Sequence, residues 1–202
     1  MSKSIELPQQ TIKALQDGAS MMIVPCKVEC MALKGDIPCA LTLEQKAVPL
    51  IEFAPLQPQD KDVFVKEEFQ DNGYTGLIYK TDIAQDCFLD KDWQPASQMT
   101  KEQSRFNIGI EDVRVVRVQD IDFDTKQDIF PYQRIIQCYD EEQFANDDFI
   151  DKFNSLIQGY EDKHFTETGE RISLGNYEDN PYVFLYDVKV TTKEFHKGTK
   201  DK

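Results

Sequence analysis

Residues 93–121 read WQPASQMTKEQSRFNIGIEDVRVVRVQDI, a polar, proline-marked loop that runs directly into the longest β-rich segment of the chain. Within residues 106–121 the apolar parity changes twice. Ile108 and Ile110 share one face, Val113 and Val115 the other, and Val116 and Val118 return to the first. Successive side chains of a strand point to opposite faces, so a slip of parity marks an extra residue, a bulge and a local bend. The stretch therefore predicts a long, strongly curved strand, entered from a loop that carries the only tryptophan, Trp93.

Upstream, residues 62–69 read DVFVKEEF, with Val63 and Val65 opposite Phe64, and after Asn72-Gly73 comes YTGLIYKTD. Two β-prone runs around an Asn-Gly turn predict a hairpin. Residues 34–58 carry Pro38, Pro49, Pro55 and Pro58 and predict loops with one brief strand. Residues 19–31 favour a strand that Pro25 confines to a sheet edge or a bulge. Residues 7–18 place Leu7, Ile12 and Leu15 on one helical face, with Pro8 suited to the first turn and Gly18 to the C-cap. Downstream, residues 122–128 are polar and read as a loop, and residues 132–139 as a further strand. The clearest helix spans residues 146–160, where Phe149, Ile150, Phe153, Leu156, Ile157 and Tyr160 recur at three- and four-residue spacing. Residues 161–179 read as a loop and residues 181–190 as a strand.

The chain has 202 residues, 40% of them hydrophobic, enough for one core without forcing a second. One domain is expected over residues 1–190, with a flexible tail over residues 191–202. Against 23 basic side chains stand 37 acidic ones, for a net charge of -14. That field repels phosphate backbones and disfavours generic nucleic-acid binding; its simplest use is solubility. The opening MSKSIELPQQ lacks a basic-then-apolar export pattern, and no apolar run reaches the ~18 residues a membrane span needs. A soluble, cytoplasmic protein without membrane attachment is the expectation. Cys26, Cys30 and Cys39 lie close together while Cys87 and Cys138 are isolated, which is not a disulfide framework. The three lack a C-x-x-C pair, and His164 and His196 are distant, so neither a metal nor another cofactor is expected.

Four landmarks recur in a familiar order. The opening helix offers Pro8, Ile12, Leu15, Asp17 and Gly18; residues 55–69 read PLQPQDKDVFVKEEF; the middle loop offers Trp93, Pro95, Met99, Ser104 and Arg105; and Asn180-Pro181-Tyr182-Val183 opens the closing strand. Together they resemble the ASCH-like, PUA-like barrel proteins common in bacteriophage and prophage genomes. Residues 55–69 are similar to that family's P-Y-x-x-G-D-x-x-x-V-R-E strand, with Lys66 at its arginine and Glu67 kept. The resemblance implies an α+β fold, a small partly closed β-barrel packed with a few helices, working in the cytoplasm of a phage-infected or lysogenic cell.

The departures carry the functional expectation. In the family, the turn after the first helix supplies a lysine, a threonine and arginines facing the barrel's pocket. Members that hydrolyse an acylated cytidine use the lysine, the threonine and a later glutamate. Here the basic pair falls on Ala19 and Ser20, the threonine on Ile23 and the arginines on Val24 and Pro25, while the glutamate falls near Ile129, beside Asp128. A serine hydroxyl or an isoleucine cannot replace an ammonium that activates a nucleophile or anchors a phosphate. No catalytic residue is assigned.

Four residues are candidates for ligand binding: Lys66, Glu67, Trp93 and Arg105. Lys66 and Glu67 are adjacent on a strand, so at most one faces a given pocket; the bland alternative for Glu67 is a structural hydrogen bond. Trp93 could stack a base, or plug the end of the barrel beside Pro95 and Met99. Arg105, Arg114 and Arg117 could bind an anion, but Glu111, Asp112 and Asp120 flank them, and salt bridges are the commoner use. The acids Asp140, Glu141, Glu142, Asp147, Asp148 and Asp151 could engage a basic partner or imitate a phosphate backbone; a solvated helix face is the plain reading. The histidines lack a serine or cysteine partner at a triad spacing.

These features favour a non-catalytic binding protein, directed at a protein partner such as a basic host protein. Two alternatives compete with it: a small hydrolase or ribonuclease acting on a modified nucleoside or RNA, and an acidic inhibitor of a nucleic-acid-binding protein. Without a positive charge to steady a developing oxyanion, the pocket loses an effect worth several kcal/mol. Purified protein incubated with N4-acetylcytidine should therefore release no cytidine by chromatography. Turnover that disappears in Lys27→Ala would show that Lys27 occupies the family's lysine position, and would restore the enzyme reading.

Overall fold

The computed structural model describes residues 3–28, 32–71, 76–83, 93–131 and 141–192. The segment of alternating parity is the spine of the main sheet. Strand β9 (Phe106–Arg117) pairs antiparallel with β10 (Tyr182–Thr192) from Arg117↔Tyr182 to Phe106↔Thr192. Asp112 faces Asp187 and Ile110 faces Val188, so Glu111 stands without an opposite residue. This is the bulge announced by the first parity change. The second brings no break: Val115 and Val116 face Phe184 and Val183 in continuous register. Val113, Val115 and Val116 all pack against the core from partly buried positions, so the parity change there reflects a strand apolar on both faces.

Strands β1 (Lys3–Glu6), β6 (Val63–Lys66) and β2 (Met21–Pro25) complete the sheet, in the order β1-β6-β9-β10-β2. Among the described residues strand β2 pairs only with β10, the edge position that Pro25 required, although all five of its residues are buried. Strand β1 runs parallel to β6, Lys3 beside Val63 and Glu6 beside Lys66. Ser104 fastens β6 to β9: its buried hydroxyl lies 2.8 Å from the Val65 carbonyl and 2.9 Å from that of Phe106. Gly109 lies so close to the neighbouring chain that a Cβ there would meet the Lys61 carbonyl oxygen at 3.1 Å.

Residues 34–58, read above as loops with one brief strand, instead contribute to a three-stranded antiparallel sheet of β3 (Ala32–Lys34), β4 (Ile37–Leu41) and β5 (Ala47–Pro49). Its prolines do not disrupt it. Pro38 lies where β4 has run past the last β5 pair, Cys39↔Pro49, so on that side it needs no ladder donor. The hairpin is also displaced from its predicted position: it joins β7 (Phe69–Asp71) to β8 (Leu77–Tyr79), while residues 63–66 belong to the main sheet. The Asn72-Gly73 turn and the strand predicted over residues 132–139 lie outside the described residues. Among the described residues none of the sheets closes on itself, and the class is α+β.

Helix α1 (Gln9–Gln16) buries Thr11, Ile12, Ala14 and Leu15, the predicted face, and ends before Gly18 at φ 101°. Helix α2 (Phe123–Ile129) occupies the segment read as a polar loop. Asp122 caps it, accepting the Thr125 N–H at 2.8 Å, which satisfies a donor the first turn leaves free. With Lys126 and Ile129 its only buried residues, it shows no periodicity to detect. Helix α3 (Glu141–Thr168) outruns the predicted residues 146–160 at both ends. Ala145, Phe149, Phe153, Leu156, Ile157 and Tyr160 form its buried stripe; beyond Tyr160 it continues through residues read as a loop and stops at Gly169, φ 74°. Lys126 is buried between α2 and α3, its ammonium donating to Asn146 Oδ1 at 2.7 Å and lying 5.3 Å from the Phe149 ring centroid. Thr191 and Thr192, assigned above to the flexible tail, still belong to β10.

A second, smaller apolar cluster of Phe69, Tyr79 and Met99 joins the hairpin to the 93–104 loop. Phe69 exchanges two backbone hydrogen bonds with Gln94, 2.8 and 3.2 Å long, and the Tyr79 hydroxyl donates to the Gln103 carbonyl at 2.7 Å. Met99 is fully buried and Trp93 partly exposed, so the two residues expected at the core or its rim divide between them. Met99→Ala should destabilise the protein by about 2–4 kcal/mol, and Trp93→Ala by less. Thermal melts of both variants check the order, and a larger loss for Trp93→Ala would contradict it.

Candidate functional site

Arg105 precedes β9, and its guanidinium gathers side chains from three other segments. Nε and Nη2 donate to Oε1 and Oε2 of Glu67, each at 2.7 Å, and Nη1 lies 2.7 Å from both oxygens of Asp82. Nη2 also donates to the Thr81 hydroxyl, which in turn donates to Glu67 Oε2 at 2.6 Å. The face of the guanidinium stacks on Tyr79, 4.3 Å from the ring centroid. Glu67 follows β6 directly; Thr81 and Asp82 come from the 3-10 turn Lys80–Asp82 after β8. The buried hydroxyl of Ser104 fixes the backbone next to Arg105.

The electrostatics follow from this packing. Burial alone would lower the Arg105 pKa, but the hydrogen bonds and charges of Glu67 and Asp82 outweigh it and hold the pKa above its ordinary value. Burial first, and then the Glu67 charge, push Tyr79 up to about 12, so its phenol stays protonated and keeps its bond to Gln103. The Glu67 side chain is 2% exposed, and its two carboxylate oxygens already accept from Arg105 and Thr81. A buried charge of this kind is held by its partner. The bland reading of Glu67, a structural hydrogen bond, describes this arrangement.

Lys66 turns away, as its neighbouring strand position required. Its ammonium donates to the Ser97 carbonyl at 3.2 Å and lies 5.6 Å from the Phe64 ring centroid. The structure therefore joins Glu67 and Arg105 directly, sets Lys66 on another face and leaves Trp93 in the adjoining loop. Thr81, Asp82 and Tyr79 were missed in the sequence; their only trace was the polar KTD ending of the predicted hairpin. Arg114 pairs with Asp187 at 3.0 Å and Asp112 at 3.7 Å. Arg117 donates to the Asn180 carbonyl at 2.6 Å and stacks on Tyr182 at 3.9 Å. Neither joins Arg105 in an anion site.

The Glu67–Thr81 side of this network opens onto a cleft of about 640 Å³. Leu7 to Gln10 at the start of α1, Glu67, Glu68 and Lys80, the Pro95–Ser97 turn, and Gly159 to Glu167 on α3 form its walls. Five carboxylates line it, Glu6, Glu67, Glu68, Asp162 and Glu167, against two ammonium groups, Lys80 and Lys163. Lys80 pairs with Glu68 at 2.5 Å, and Lys163 with Glu6 and, at 3.8 Å, with Glu167. Asp162 accepts from Gln158 at 2.8 Å. At the turn where the resemblance places catalytic side chains, Ala19, Ile23, Val24 and Pro25 are buried, and exposed Ser20 offers its carbonyl to the Val188 N–H at 2.8 Å. Ile129 is buried and Asp128 exposed. Among the described residues no cluster of histidine, cysteine and carboxylate ligands could hold a metal, and no helix is long and apolar enough to cross a membrane.

No protein-family model, curated protein or solved structure matches the chain. The chemistry of the site thus rests on its own geometry: a charge network whose members are satisfied by one another, beside an acidic cleft.

Arg105→Met leaves Glu67 buried without its cation and should cost about 3–5 kcal/mol. Arg105→Lys, which keeps the charge but loses the two-pronged geometry, should fall between that variant and the parent. The double variant Arg105→Met/Glu67→Leu should recover most of the loss. Equilibrium urea unfolding of the set measures this, and a single-variant cost near zero would refute the structural role.

Proposed function

We propose that the chain acts by binding a protein partner, with the acidic cleft receiving a basic segment of that partner, and that it is not a catalyst. The observation that carries the reading is the pairing of ionisable groups around the cleft. Arg105 is committed to Glu67, Asp82 and Thr81, Lys80 to Glu68, and Lys163 to Glu6 and Glu167. A general base or an activated nucleophile needs a lone pair aimed at the substrate, whereas both oxygens of buried Glu67 already accept from Arg105 and Thr81, and the other carboxylates of this cleft each face an ammonium or amide group. The surplus of carboxylates over ammonium groups nevertheless gives it a negative field, in keeping with the net charge of -14, and such a field steers a cationic partner toward it.

An ASCH-like origin in a phage or prophage, and a partly closed barrel built on the curved β9–β10 ladder, belong to the same proposal. The order of the four sequence landmarks and the bulge at Glu111 support them. The absence of the family's lysine and threonine from the turn after α1 is consistent with a member that binds without turning over a nucleoside.

Affinity capture from bacterial lysate, run in parallel with the wild type and with Glu68→Lys/Asp162→Lys, tests the proposal. The wild type should retain a stoichiometric basic protein that elutes with salt, and the charge-reversed variant should lose it. Retention of the same protein by the variant would dismiss the cleft, and a nucleoside carried by the purified chain would replace the reading with the enzymatic one.

A further inference from the structure

A second cavity, of about 450 Å³, lies on the other side of Glu6, Lys163 and Glu167, which line both hollows. Its chemistry differs from that of the cleft. Ile5, Pro25, Phe53, Pro55 and Phe184 give it an apolar wall, and its size falls in the ~300–1,000 Å³ range of small-molecule sites. Its two carboxylates, Glu6 and Glu167, both face Lys163. Two other lining groups keep spare hydrogen-bonding capacity: exposed Lys27 and half-buried His164 have no side-chain partner among the described residues. The two lysines and two carboxylates of the lining balance in charge, and the ammonium without a carboxylate partner among the described residues is that of Lys27.

Tyr160, on α3, also lines this cavity. It is 8% exposed, and its hydroxyl is closed off from solvent without a hydrogen-bond partner among the described residues. Burial pushes its pKa up, with a smaller contribution from Tyr186, so it is a neutral phenol with a donor to offer. A buried polar group left unpaired is costly, and a native structure carries few of them. An acceptor in the cavity would satisfy it once the phenol turned out of its closed position.

We propose that this cavity binds a small amphipathic anion, a flat or branched apolar body bearing one oxyanion head. The apolar body lies against Phe53, Pro55 and Phe184, and the head is held by Lys27, His164 and the Tyr160 hydroxyl. The proposal is independent of the partner-binding reading, because it uses neither the acidic wall of the cleft nor a protein ligand.

Anilinonaphthalene sulfonate and its uncharged analogue phenylnaphthylamine are matched probes, alike in apolar body and different in head. Titrated into the full chain and followed by fluorescence, the sulfonate should bind at one site and more tightly than the neutral dye. Lys27→Gln and Tyr160→Phe should each weaken the sulfonate about tenfold, the size of one lost charge-assisted hydrogen bond, and leave the neutral dye nearly unchanged. Leu43→Ser, which removes a fully exposed apolar side chain outside the cavity lining, should alter neither titration. Without dye, Tyr160→Phe should melt no lower than the parent, because it deletes a donor that has no partner among the described residues. The inference is overturned if the neutral dye binds as tightly as the sulfonate, if either Lys27→Gln or Tyr160→Phe binds the sulfonate like the parent, or if Tyr160→Phe lowers the melting temperature of the free protein.

Discussion

The bidentate pair of Arg105 and Glu67 is the contact on which the middle of the molecule depends, because it ties together segments whose apolar contact is a cluster of three buried side chains. The smaller cluster of Phe69, Tyr79 and Met99 joins the hairpin to the 93–104 loop, and the Lys80–Asp82 turn is drawn in beside it by charge. One guanidinium completes the arrangement, drawing Glu67 from the end of β6, Thr81 and Asp82 from the turn, and resting on Tyr79 from β8. Taking such charges out of water costs several kcal/mol per ion, and close, well-oriented hydrogen bonds offset that cost. The pair therefore contributes geometry more than stability. It holds one wall of the cleft in place.

The opposite wall is set by the main core. Helix α3 buries Phe149, Phe153, Leu156 and Tyr160 and packs beside the start of α1, where a Cβ on Gly159 would stand in ordinary contact with Pro8, 3.8 Å away. The same helix turns Asp162, Lys163 and Glu167 toward the cleft. Its apolar stripe thus fixes where its charges point, and those charges divide the acidic cleft from the apolar cavity behind it.

What was legible in the sequence follows from periodicity. The β9 bulge, the buried faces of α1 and α3, the edge position of β2 and the opposed directions of Lys66 and Glu67 all leave a local pattern. Helix α2 leaves none, since Asp122 makes it by a cap and not by an apolar stripe. The β3-β4-β5 sheet was hidden because its prolines look like breaks until the strand lengths are known. The site was half visible: Glu67 and Arg105 could be named, but the link between them could not, and Thr81, Asp82 and Tyr79 owe their place to the hairpin's long-range docking.

The parallel pairing of β1 with β6 bears on how the chain is made. Lys3 lies beside Val63 and Glu6 beside Lys66, so β1 must wait during synthesis for a partner that emerges much later. Pairings so distant in sequence close slowly, and a waiting strand is open to pairing with other chains. Charges at both ends of β1 oppose that error, since an edge bearing lysine and glutamate is a poor template for addition. The same two side chains later fasten the strand, Lys3 to Asp60 at 2.6 Å and Glu6 to Lys163. What guards the nascent strand against the wrong neighbour thus becomes its clasp to the right one.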